Sequence, residues 1–490
     1  MFKKTLAFMV SVILAVNAIS CIAYAATATD ADTAFNEFNN KFYTVSNGNG
    51  YYKADTNGGK ADFWKEAEMM EMVIDAYQRS GNNIYYNMIN ELYNGFIAQN
   101  TSNWSGNIYN DDIMWMVIFC SRAYEVTGNV TYKNQAKSQF DLVYDRAFDT
   151  SLGGGLWWTT DKNKKNACIN GPAAIAAYKL YKITGDSAYL QKSKDLYAWL
   201  RDNLFNATTG AVNDHKTKTG TVDASYYTYN QGTFIGAANY LYKETGIQSY
   251  KTEAGKALDF TINNMTDSAG ILKSENATGD QGGFKGIFVR WAIQYIKDNN
   301  IASYNAWFQT NADTAWLNRN SSNLMDQNWA VTTGTGTLPS FSCSSAVVLL
   351  QLAPFGSAPN AFAKIEAESA STKTASMVIE SCAEGGQQLG GIKNGDSAIF
   401  SGISFSKSAS YFDARVAVDP SAGGVIEVRD GSTSGTLFGT ASVSNTGGWS
   451  SFTTVSCSVS IPSGTRNICL VFKTDSGKTY VCNLNWIQFR

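Results

Sequence analysis

Residues 180–190, LYKITGDSAYL, place a glycine midway between two tyrosines, four positions from each. The same spacing occurs three more times, as AYQRSGNNIYY at 76–86, AYEVTGNVTYK at 123–133 and LYKETGIQSYK at 241–251. A glycine in this position is typical of a helix that ends in the left-handed conformation, followed by a short turn and a second helix. The repeat therefore predicts four helical hairpins, and we expect the tyrosines of each hairpin to pack across its turn.

The hairpins occupy the chain from about residue 30 to residue 350. Each interval between successive glycines has room for two helices and one longer loop. Stacked hairpins of this size form either an open solenoid or a closed α/α toroid. The longer loops are polar, aromatic and rich in glycine, which suits a toroid whose loops line a cleft at one end. We therefore predict an all-α toroid.

The sequence changes character after the stretch APFGSAPNAFA at 353–363. Beyond it, apolar and polar residues alternate, as in YFDARVAV, where Phe412, Ala414 and Val416 share one face of a strand. Runs of this kind, separated by Gly, Ser, Asn and Thr, indicate a β-sandwich.

The predicted organisation is multidomain, with an all-α domain followed by a β-sandwich. Its parts are a signal peptide at 1–25, the helical domain at 26–353, a linker at 354–362 and the β-sandwich module at 363–490.

The composition excludes several classes of binding partner and catalytic mechanism. The chain has 490 residues with 39 Lys+Arg, 41 Asp+Glu and a formal net charge of −2, so nucleic acid is not an expected partner. It contains 12 Trp, 26 Tyr and 26 Phe but a single histidine, His215. One histidine excludes a His-rich zinc site and argues against Ser-His-Asp or Cys-His catalysis. Acid/base chemistry must then fall mainly to carboxylates.

The amino terminus has the pattern of an export signal. Lys3 and Lys4 precede an apolar run over 6–16, and AYA at 23–25 matches the small-x-small pattern that a signal peptidase requires. The apolar run is too short for a stable membrane anchor, and no later stretch is long enough to span a bilayer. We expect a secreted protein that starts near Ala26.

The cysteines suggest no cofactor. Cys21 could carry a lipid, but the residues before it lack the leucine usual at such sites. Removal of residues 1–25 leaves seven cysteines, so at least one thiol is unpaired or bridges two molecules. Their spacing resembles no metal site. We expect buried apolar thiols, with one or two disulfides in the second domain.

The stretch YNDDIMW at 109–115 carries the most chemical content. In a structural interpretation, one acid caps the helix that follows and the second interacts favourably with the helix dipole. In a functional interpretation, Asp111 and Asp112 are the acid/base pair of an enzyme that cleaves a glycosidic bond. The preceding loop, 104–110, is rich in aromatic and amide side chains that suit a sugar, and this favours the functional interpretation.

Adjacent residues on a helix point about a quarter-turn apart, which is a geometric objection to such a pair. At the first turn, however, both could flank the anomeric carbon of a sugar lying across the helix end. Retaining glycosidases need carboxyl groups about 5–5.5 Å apart, which neighbouring side chains can reach. A like charge this close raises one of the two pKa values, so one acid keeps its proton near neutral pH.

Several motifs, in order, resemble glycoside hydrolase family 76, the endo-α-1,6-mannanases, over about residues 30–350. They are YNDDIMW at 109–115, GGGLWW at 153–158, KNACINGPAA at 165–174, LYKITGDSAYL at 180–190, TYNQGTFIGAA at 228–238 and GGFKGIFVRWA at 282–292. The resemblance implies an (α/α)6 toroid that hydrolyses α-1,6-mannan with retention and without a catalytic cofactor. It also implies that Asp111 is the nucleophile and Asp112 the general acid/base.

The resemblance suggests further cleft residues. Asp214 could bind the sugar in the reacting subsite, and polar or aromatic side chains of family-like loops could contact other sugars: Trp104, Trp158, Asn166, Tyr229, Asn230 and Gln231. A tryptophan in such a repeat, Trp157 included, is packed in a core at least as often. We interpret His215 as a surface or supporting residue. Lys285 and Arg290 fit either the cleft or a structural ion pair.

Residues 363–490 resemble carbohydrate-binding module family 6, a β-sandwich of jelly-roll type. The matching stretches are KIEAES at 364–369, NGDSAIF at 394–400, GGVIEVRDG at 423–431, NTGGWSSF at 445–452 and NLNWIQF at 483–489. Alternation along a strand would put Glu366 and Glu368 on one face, as hard oxygen ligands. The resemblance implies that they hold a structural Ca²⁺, with Asn485 where many relatives have an acid ligand. Two solvated acids on an edge strand are the alternative.

For sugar binding, the resemblance points to Trp449 as an aromatic platform and to Asn483 as a hydroxyl reader. The second platform of the family is missing, because Gly391 follows the Leu-Gly pair and Ser397 stands where relatives often have an aromatic residue. The module could therefore bind weakly, use another aromatic residue or not bind at all.

Together these features predict a secreted, monomeric α-mannan hydrolase tethered to polysaccharide by its module, with no membrane span. Two alternatives stay open: a transglycosidase that passes the mannosyl group to a sugar acceptor, and a non-catalytic mannan-binding protein. The sequence leaves open endo or exo action, tolerance of mannan side chains, the ligand of the module and disulfide pairing.

Overall fold

The computed structural model describes residues 26–275, 280–354 and 359–490. The predicted signal peptide and residues 355–358 of the predicted linker lie outside these ranges. The first two ranges contain twelve α-helices: α1 (Ala28–Phe42), α2 (Phe63–Ser80), α3 (Asn83–Asn100), α4 (Asn110–Thr127), α5 (Val130–Ala147), α6 (Ala167–Thr184), α7 (Ser187–Asn203), α8 (Thr228–Thr245), α9 (Gln248–Asn264), α10 (Phe284–Asp298), α11 (Asn305–Leu317) and α12 (Ser340–Leu352).

The even-numbered helices form a closed inner ring. Each of them contacts the next, from α2 to α12, and α12 contacts α2. The odd-numbered helices lie outside this ring and pack on it, with α1 against α12. Backbones in the ring approach closely, since a Cβ on Gly232 of α8 would lie 2.5 Å from the Cα of Phe288 in α10. This arrangement confirms the (α/α)6 toroid.

The four repeat glycines end inner helices as predicted. Gly81, Gly128, Gly185 and Gly246 all adopt the left-handed conformation, with φ between 66° and 76°. The amide of each donates 2.8 Å to the carbonyl of the tyrosine four residues earlier. An outer helix begins two residues after each glycine, so each motif joins one inner helix to one outer helix.

The prediction that the tyrosines pack across their turn is wrong for the second tyrosine of each motif. That tyrosine is the third residue of its outer helix and contacts an aromatic ring of the preceding outer helix. The ring pairs are Tyr85–Phe35, Tyr132–Tyr93, Tyr189–Phe140 and Tyr250–Tyr197, with centroids 4.6–5.5 Å apart. Consecutive residues of a helix point about 100° apart. Because the second tyrosine points toward the preceding outer helix, the residue after it points toward the turn and the first tyrosine. At Tyr77 that residue is Tyr86, and at Tyr124 it is Lys133.

Short strands lie beside the ring. Two form a hairpin, β1 (Tyr43–Ser46) and β2 (Asn49–Tyr52). Three form an antiparallel sheet, β3 (Lys164–Asn166), β4 (His215–Thr217) and β5 (Val222–Asp223).

Residues 359–490 form two sheets that share one apolar core. Their strands are β6 (Ile365–Glu366), β7 (Thr372–Lys373), β8 (Val378–Ser381), β9 (Gln387–Gly390), β10 (Ser397–Phe405), β11 (Ala409–Ala417), β12 (Gly424–Asp430), β13 (Leu437–Val443), β14 (Phe452–Ile461), β15 (Gly464–Thr474) and β16 (Asn483–Phe489). The strand orders are β13-β12-β15-β10-β7 and β14-β11-β16-β9-β8, with β6 paired to β16. The predicted alternation in β11 is confirmed, because Phe412, Ala414 and Val416 are fully buried.

The seven cysteines from Cys120 to Cys482 are all free thiols, and all but Cys457 are buried. The expectation of disulfides in the second domain is therefore wrong, whereas buried apolar thiols are confirmed. Among the described residues, no helix is both long and apolar enough to cross a membrane.

Buried charges lie inside the inner ring. Arg290 of α10 contacts the carboxyl group of Glu68 at 2.5 Å and forms an ion pair with Asp75 at 2.9 Å, so of its two interpretations the structural ion pair is the correct one. Arg122 of α4 contacts Asp75 at 2.6 Å and Glu71 at 2.8 Å.

Lys285 is different from Arg290. Its Nζ lies 4.0 Å from the ring centroid of Trp329 and donates to the carbonyl of Leu272, and burial lowers its pKa to about 7. Lys285 is therefore buried outside the arginine network.

Candidate active site

A cleft of about 500 Å³ opens where five of the six inner helices begin. Its lining comes from the first turns of α2, α4, α6, α8 and α10 and from the loops before them: Asp62, Trp64, Tyr109, Asp111, Asp112, Trp115, Trp158, Lys164, Asn166, Cys168, Asp214, Tyr227, Tyr229, Asp280, Gln281 and Phe284. Carboxylates outnumber cationic side chains in this lining, so the cleft has a negative potential that suits neutral or cationic substrates.

Asp111 and Asp112 are the second and third residues of α4. The N-cap is Tyr109, which makes no side-chain capping bond, so neither acid is the cap that the structural interpretation requires. The first residue, Asn110, is fully buried and donates Nδ2 to the carbonyl of Trp157 at 2.8 Å. Arg146 donates to the Asn110 Oδ1 at 2.7 Å. The start of the helix is thus fixed, and both acids project into the cleft.

Burial and the neighbouring Asp112 raise the pKa of Asp111 to about 8. Burial raises the pKa of Asp112 to about 6, although the amide of Asn107, 3.0 Å from its Oδ2, favours the ionised form. Asp280 and Asp62 at the rim add to this rise, and Lys65 opposes it. The pair therefore retains one proton near neutral pH, as an acid/base pair requires.

Asp214 lies in the same cleft, directly before β4. Its Oδ2 is 2.8 Å from Nδ1 of His215, and its Oδ1 accepts from Nδ2 of Asn230 at 3.1 Å. Burial and the nearby carboxylates of Asp111 and Asp214 raise the pKa of the Cys168 thiol. Cys168 therefore lies within electrostatic reach of both carboxylates.

The aromatic lining has two parts. Trp158 lies 5.4 Å from the ring of Tyr109, and Nζ of Lys164 lies 5.4 Å from its centroid. Tyr229 stacks on Phe284 with their planes 8° apart and their centroids 3.8 Å apart. These rings supply the apolar faces on which a sugar stacks.

Glycines place Trp158 at the cleft. In the GGGLWW stretch Gly155 has φ +77°, and a Cβ there would lie 2.5 Å from the ring of Trp199. Leu156 is then held by the side chain of Asn170, which bonds both its amide and its carbonyl.

Two buried amide oxygens beside the cleft, Oδ1 of Asn166 and Oδ1 of Asn230, have no hydrogen-bond partner among the described residues. Oδ1 of Asp111 and Nε1 of Trp158 are also buried, and contacts from Trp158 and Cys168 favour the ionised form of Asp111. Buried polar atoms are paired in the large majority of cases, so the two unpaired oxygens mark a position for ligand or water.

Other predicted residues are not brought to the cleft. Trp104 is 2% exposed, packs between Phe63 and Phe96, and donates Nε1 to the carbonyl of Thr101. Gln231 is fully buried, and both ends of its amide bond the backbone of Val212. Asn230 does not line the cleft but supports Asp214.

Several cleft residues have no counterpart in the sequence-based prediction: Asp62, Trp64, Asn107, Trp115, Lys164, Cys168, Tyr227, Asp280 and Phe284. A usable signal existed for Asp62, an acid directly before the helical run that starts at Phe63, whereas Asp280 lies four residues before the first residue of α10, Phe284. Lys65 joins these two acids across the rim, at 2.8 and 3.2 Å.

The β-sandwich module has one candidate ligand surface. Trp449 is half-buried and Tyr480 lies perpendicular to it, with centroids 6.0 Å apart. Asn483 donates Nδ2 to the carbonyl of Trp449 at 3.1 Å. Gly391 has φ +67°, so the position of the missing platform has a backbone that disfavours side chains.

The predicted calcium ligands are arranged differently from the expectation. β6 ends at Glu366 and a 3₁₀ turn, Ala367–Ser369, follows, so Glu366 and Glu368 do not alternate along one strand. Glu366 is exposed, whereas Oε2 of Glu368 is buried without a partner among the described residues. Asn485 donates to Glu384 at 3.0 Å. Of the three predicted ligands, only Glu368 has a buried oxygen without a partner among the described residues, and a hard cation would satisfy it.

The structure combines an α/α toroid, a pair of carboxyl groups that retains one proton, and a cleft lined by aromatic rings and by polar atoms that can bind hydroxyl groups. This combination defines a glycoside hydrolase. The profile of Glycosyl hydrolase family 76 matches residues 26–354, and that of Carbohydrate binding module (family 6) matches residues 366–490. The chain belongs to glycoside hydrolase family 76 and carries a family 6 carbohydrate-binding module.

Solved structures agree with this assignment. The GH76A α-1,6-mannanase from Salegentibacter sp. HEL1_6 is 32% identical, with a TM-score of 0.62 over 66% of this chain and 98% of that one. An inactive variant of that enzyme, with two consecutive aspartates replaced by asparagine, was solved with α-1,6-mannotriose; it is 31% identical, with the same TM-score and coverage.

Curated relatives match smaller parts of the chain. Mannan endo-1,6-alpha-mannosidase DCW1 of Saccharomyces cerevisiae is 27% identical over 252 residues, 45% of this chain and 54% of that protein. Endo-1,4-beta-xylanase A of Thermoclostridium stercorarium is 38% identical over 114 residues, 23% of this chain and 22% of the xylanase. The chain thus spans about half of the mannosidase and about a fifth of the xylanase.

Proposed function

We propose that the enzyme hydrolyses α-1,6-mannosidic linkages of mannan with retention, through Asp111 and Asp112. The observation that carries this proposal is the cleft position of the pair, which is the one Asp-Asp sequence in the chain. The inactive mannanase variants that lack two consecutive aspartates support it.

In the proposed reaction, Asp112 donates its proton to the glycosidic oxygen while a carboxylate oxygen of Asp111 attacks the anomeric carbon. The glycosidic C–O bond breaks and a mannosyl ester forms. Asp112 then takes a proton from water, which attacks the anomeric carbon of the ester, and the glycone fragment of the mannan chain is released with retained configuration. In the free cleft burial places the proton more firmly on Asp111. Sugar hydroxyls that donate to the Asp111 carboxylate would act in the same direction as the contacts from Cys168 and Trp158, stabilise its ionised form and leave the proton on Asp112.

The pH profile of kcat/KM should be bell-shaped, with limbs near the pKa values of about 6 and about 8 of the pair. Below the lower value both acids are protonated and no nucleophile is available. Above the higher value both are ionised and no acid can protonate the leaving group. Initial rates on soluble α-1,6-mannan from pH 4 to 10 measure this profile, and a profile flat across pH 6–8 and beyond would contradict it.

Product analysis tests the proposed function. Linear α-1,6-mannan incubated with the enzyme should release shorter manno-oligosaccharides of α configuration. Added α-1,6-mannobiose should change their rate of release little. Elongated products that dominate when this acceptor is present would favour a transglycosidase. Binding of mannan without any product would identify a non-catalytic protein.

We also propose that the module holds polysaccharide against Trp449. Trp449→Ala should weaken retention on insoluble mannan by roughly tenfold, which corresponds to about 1.4 kcal/mol. Hydrolysis of a short soluble substrate should be unchanged, because tethering acts through effective concentration. Pull-down assays with Tyr411→Ala, an exposed tyrosine elsewhere on the module, give the control. Equal retention of the Trp449 variant and wild type would rule out this surface.

A structural Ca²⁺ at Glu368 is proposed from the resemblance and from the buried, unpaired Oε2. EDTA should lower the unfolding temperature of the wild type, and added Ca²⁺ should restore it. Glu368→Gln should abolish this response, while Glu366→Gln, at an exposed position, should weaken it less. Calorimetry on the full chain measures the shift. An unfolding temperature indifferent to EDTA would exclude the metal.

The proposal places the enzyme outside the cell as a monomer. Export is supported by the basic, apolar and small-residue pattern of residues 1–25.

A further inference from the structure

We propose that His215 is a positioning residue that holds the carboxylate of Asp214 in the orientation needed to bind a hydroxyl of the reacting sugar. This inference rests on the proposed function, because it assigns Asp214 to the sugar that is cleaved. It concerns the single histidine of the chain, which the carboxylate chemistry of Asp111 and Asp112 leaves without a role.

The backbone of Asp214 is fixed from two sides. Its carbonyl accepts from the amide of Ala167, the first residue of α6, at 2.8 Å. Its amide donates to the carbonyl of Asp223 at 3.2 Å. The register of the β3-β4-β5 sheet pairs the next residue, His215, with Asn166 on one side and Asp223 on the other. The sheet therefore sets where the Asp214 side chain leaves the backbone.

The side chain is fixed by two donors. Asn230, on the first turn of α8, donates to one carboxylate oxygen, and His215 contacts the other through Nδ1. A carboxylate only accepts hydrogen bonds, so Nδ1 must carry the proton in this contact. Asp223 lies 3.9 Å from the same nitrogen and is largely exposed, which makes it a weaker second partner.

His215 as a whole is 8% exposed and does not line the cleft, whereas Asp214 does. His215 therefore acts through Asp214. A carboxylate with one donor at each oxygen cannot rotate, and its remaining lone pairs point to fixed positions. Asp214 lines the same cleft as Asp111, Asp112 and Cys168. A sugar hydroxyl bound there would sit beside the reacting carboxylates.

Kinetics of His215→Ala, His215→Asn and Lys216→Ala on α-1,6-mannan test the proposal. The alanine variant should lose about 10- to 100-fold in kcat/KM, the size of effect expected when one hydrogen bond to a charged group is lost. The asparagine variant should recover much of this loss, because its amide can replace the Nδ1 donor. Lys216, whose Nζ bonds Asn203 outside the cleft, is the matched control and should match wild type. An alanine variant with wild-type kcat/KM would overturn the proposal.

NMR of the imidazole tests the proposal in protein that keeps His215, so it does not depend on whether a His215 variant folds. In untagged protein every imidazole signal comes from this residue. Binding of α-1,6-mannotriose to Asp111→Asn/Asp112→Asn protein should shift the Nδ1–H signal, because a hydroxyl on Asp214 draws charge from the contact. An unchanged signal at saturating ligand would overturn the proposal.

Failure of the proposed function can be distinguished from failure of the positioning role of His215. If wild type releases no product from mannan, the contact itself can still be checked by Asp214→Ala. This substitution should remove the downfield Nδ1–H signal of a carboxylate-bound imidazole, and a signal that persists would overturn the positioning role.

Discussion

Asparagine at position 111 is expected to reduce kcat on linear α-1,6-mannan by at least about 10³-fold, with little change in KM. The amide cannot attack the anomeric carbon, yet it has the shape of the carboxylate and keeps the cleft intact. Asparagine at position 112 removes the proton donor, and general acid catalysis contributes about 10²- to 10⁴-fold. Near-full activity of either variant would refute the assignment of the pair.

The matched control for this chemical change is Asp186→Asn. Asp186 caps α7 outside the cleft and accepts from the amide of Ala188 at 2.9 Å. Asparagine caps helices as well as aspartate does, so this variant should keep wild-type activity and stability. The unfolding temperatures of all three variants show whether lost activity reflects lost folding.

The two roles can be separated by leaving group and by added nucleophile. An aryl α-1,6-mannobioside with a good leaving group needs no protonation, so Asp112→Ala should cleave it far better than mannan. Azide with this variant should give an α-glycosyl azide, because the ester on Asp111 is attacked. Azide with Asp111→Ala should give the β-azide by direct displacement. The opposite pattern would exchange the two roles.

The toroid could be predicted because its signal is local. A glycine after a helix and a tyrosine on either side repeat within eleven residues, and that is enough to indicate a hairpin. The direction of each second tyrosine could not be predicted, since the partner ring lies in the preceding outer helix, as Phe140 does for Tyr189. The closure of the ring through α12 and α1 has no repeat motif either, because it joins the two ends of the domain.

The residues of the active site also divide into those that the sequence could predict and those that it could not. Asp111 and Asp112 are adjacent and could be identified by their sequence, whereas Asp62 and Asp280 reach the cleft from helices far apart in the chain. Gln231 belongs to a family-like motif, but its amide satisfies the backbone of Val212. A motif therefore identifies which loops approach the cleft, while the face of each helix decides which side chain enters it.

In the module the same limit applies to Glu366 and Glu368. Their spacing of two residues projects to one face only in an extended strand, and the chain turns immediately after Glu366. Tyr480 shows the converse: no motif in the sequence indicated it, yet its ring lies against that of Trp449.

The second large effect concerns stability and involves the buried arginine network. Arg290→Met should destabilise the helical domain by about 3–5 kcal/mol, the cost of breaking a buried ion pair by removing one partner. Arg290 and its partners Glu68 and Asp75 are at most 4% exposed, so solvent cannot replace the lost contacts. Thermal unfolding followed by the helical circular dichroism signal measures the change. A loss below about 1 kcal/mol would contradict the role of the network.

Glu68→Gln is the informative counterpart, because three carboxylates share two arginines. Burial and the nearby Glu71 raise the pKa of Glu68 from 4.5 to about 8, so near neutral pH it keeps its proton and glutamine is a close mimic. Between these pKa values the folded chain binds a proton that the unfolded chain has released. The contribution of Glu68 to stability therefore falls as pH rises from about 5 to 8, with a slope of about 1.4 kcal/mol per pH unit for one proton. The glutamine variant should lack this part of the fall and be more stable than wild type at pH 8, and an identical pH dependence of the two proteins would show that Glu68 is ionised in the fold.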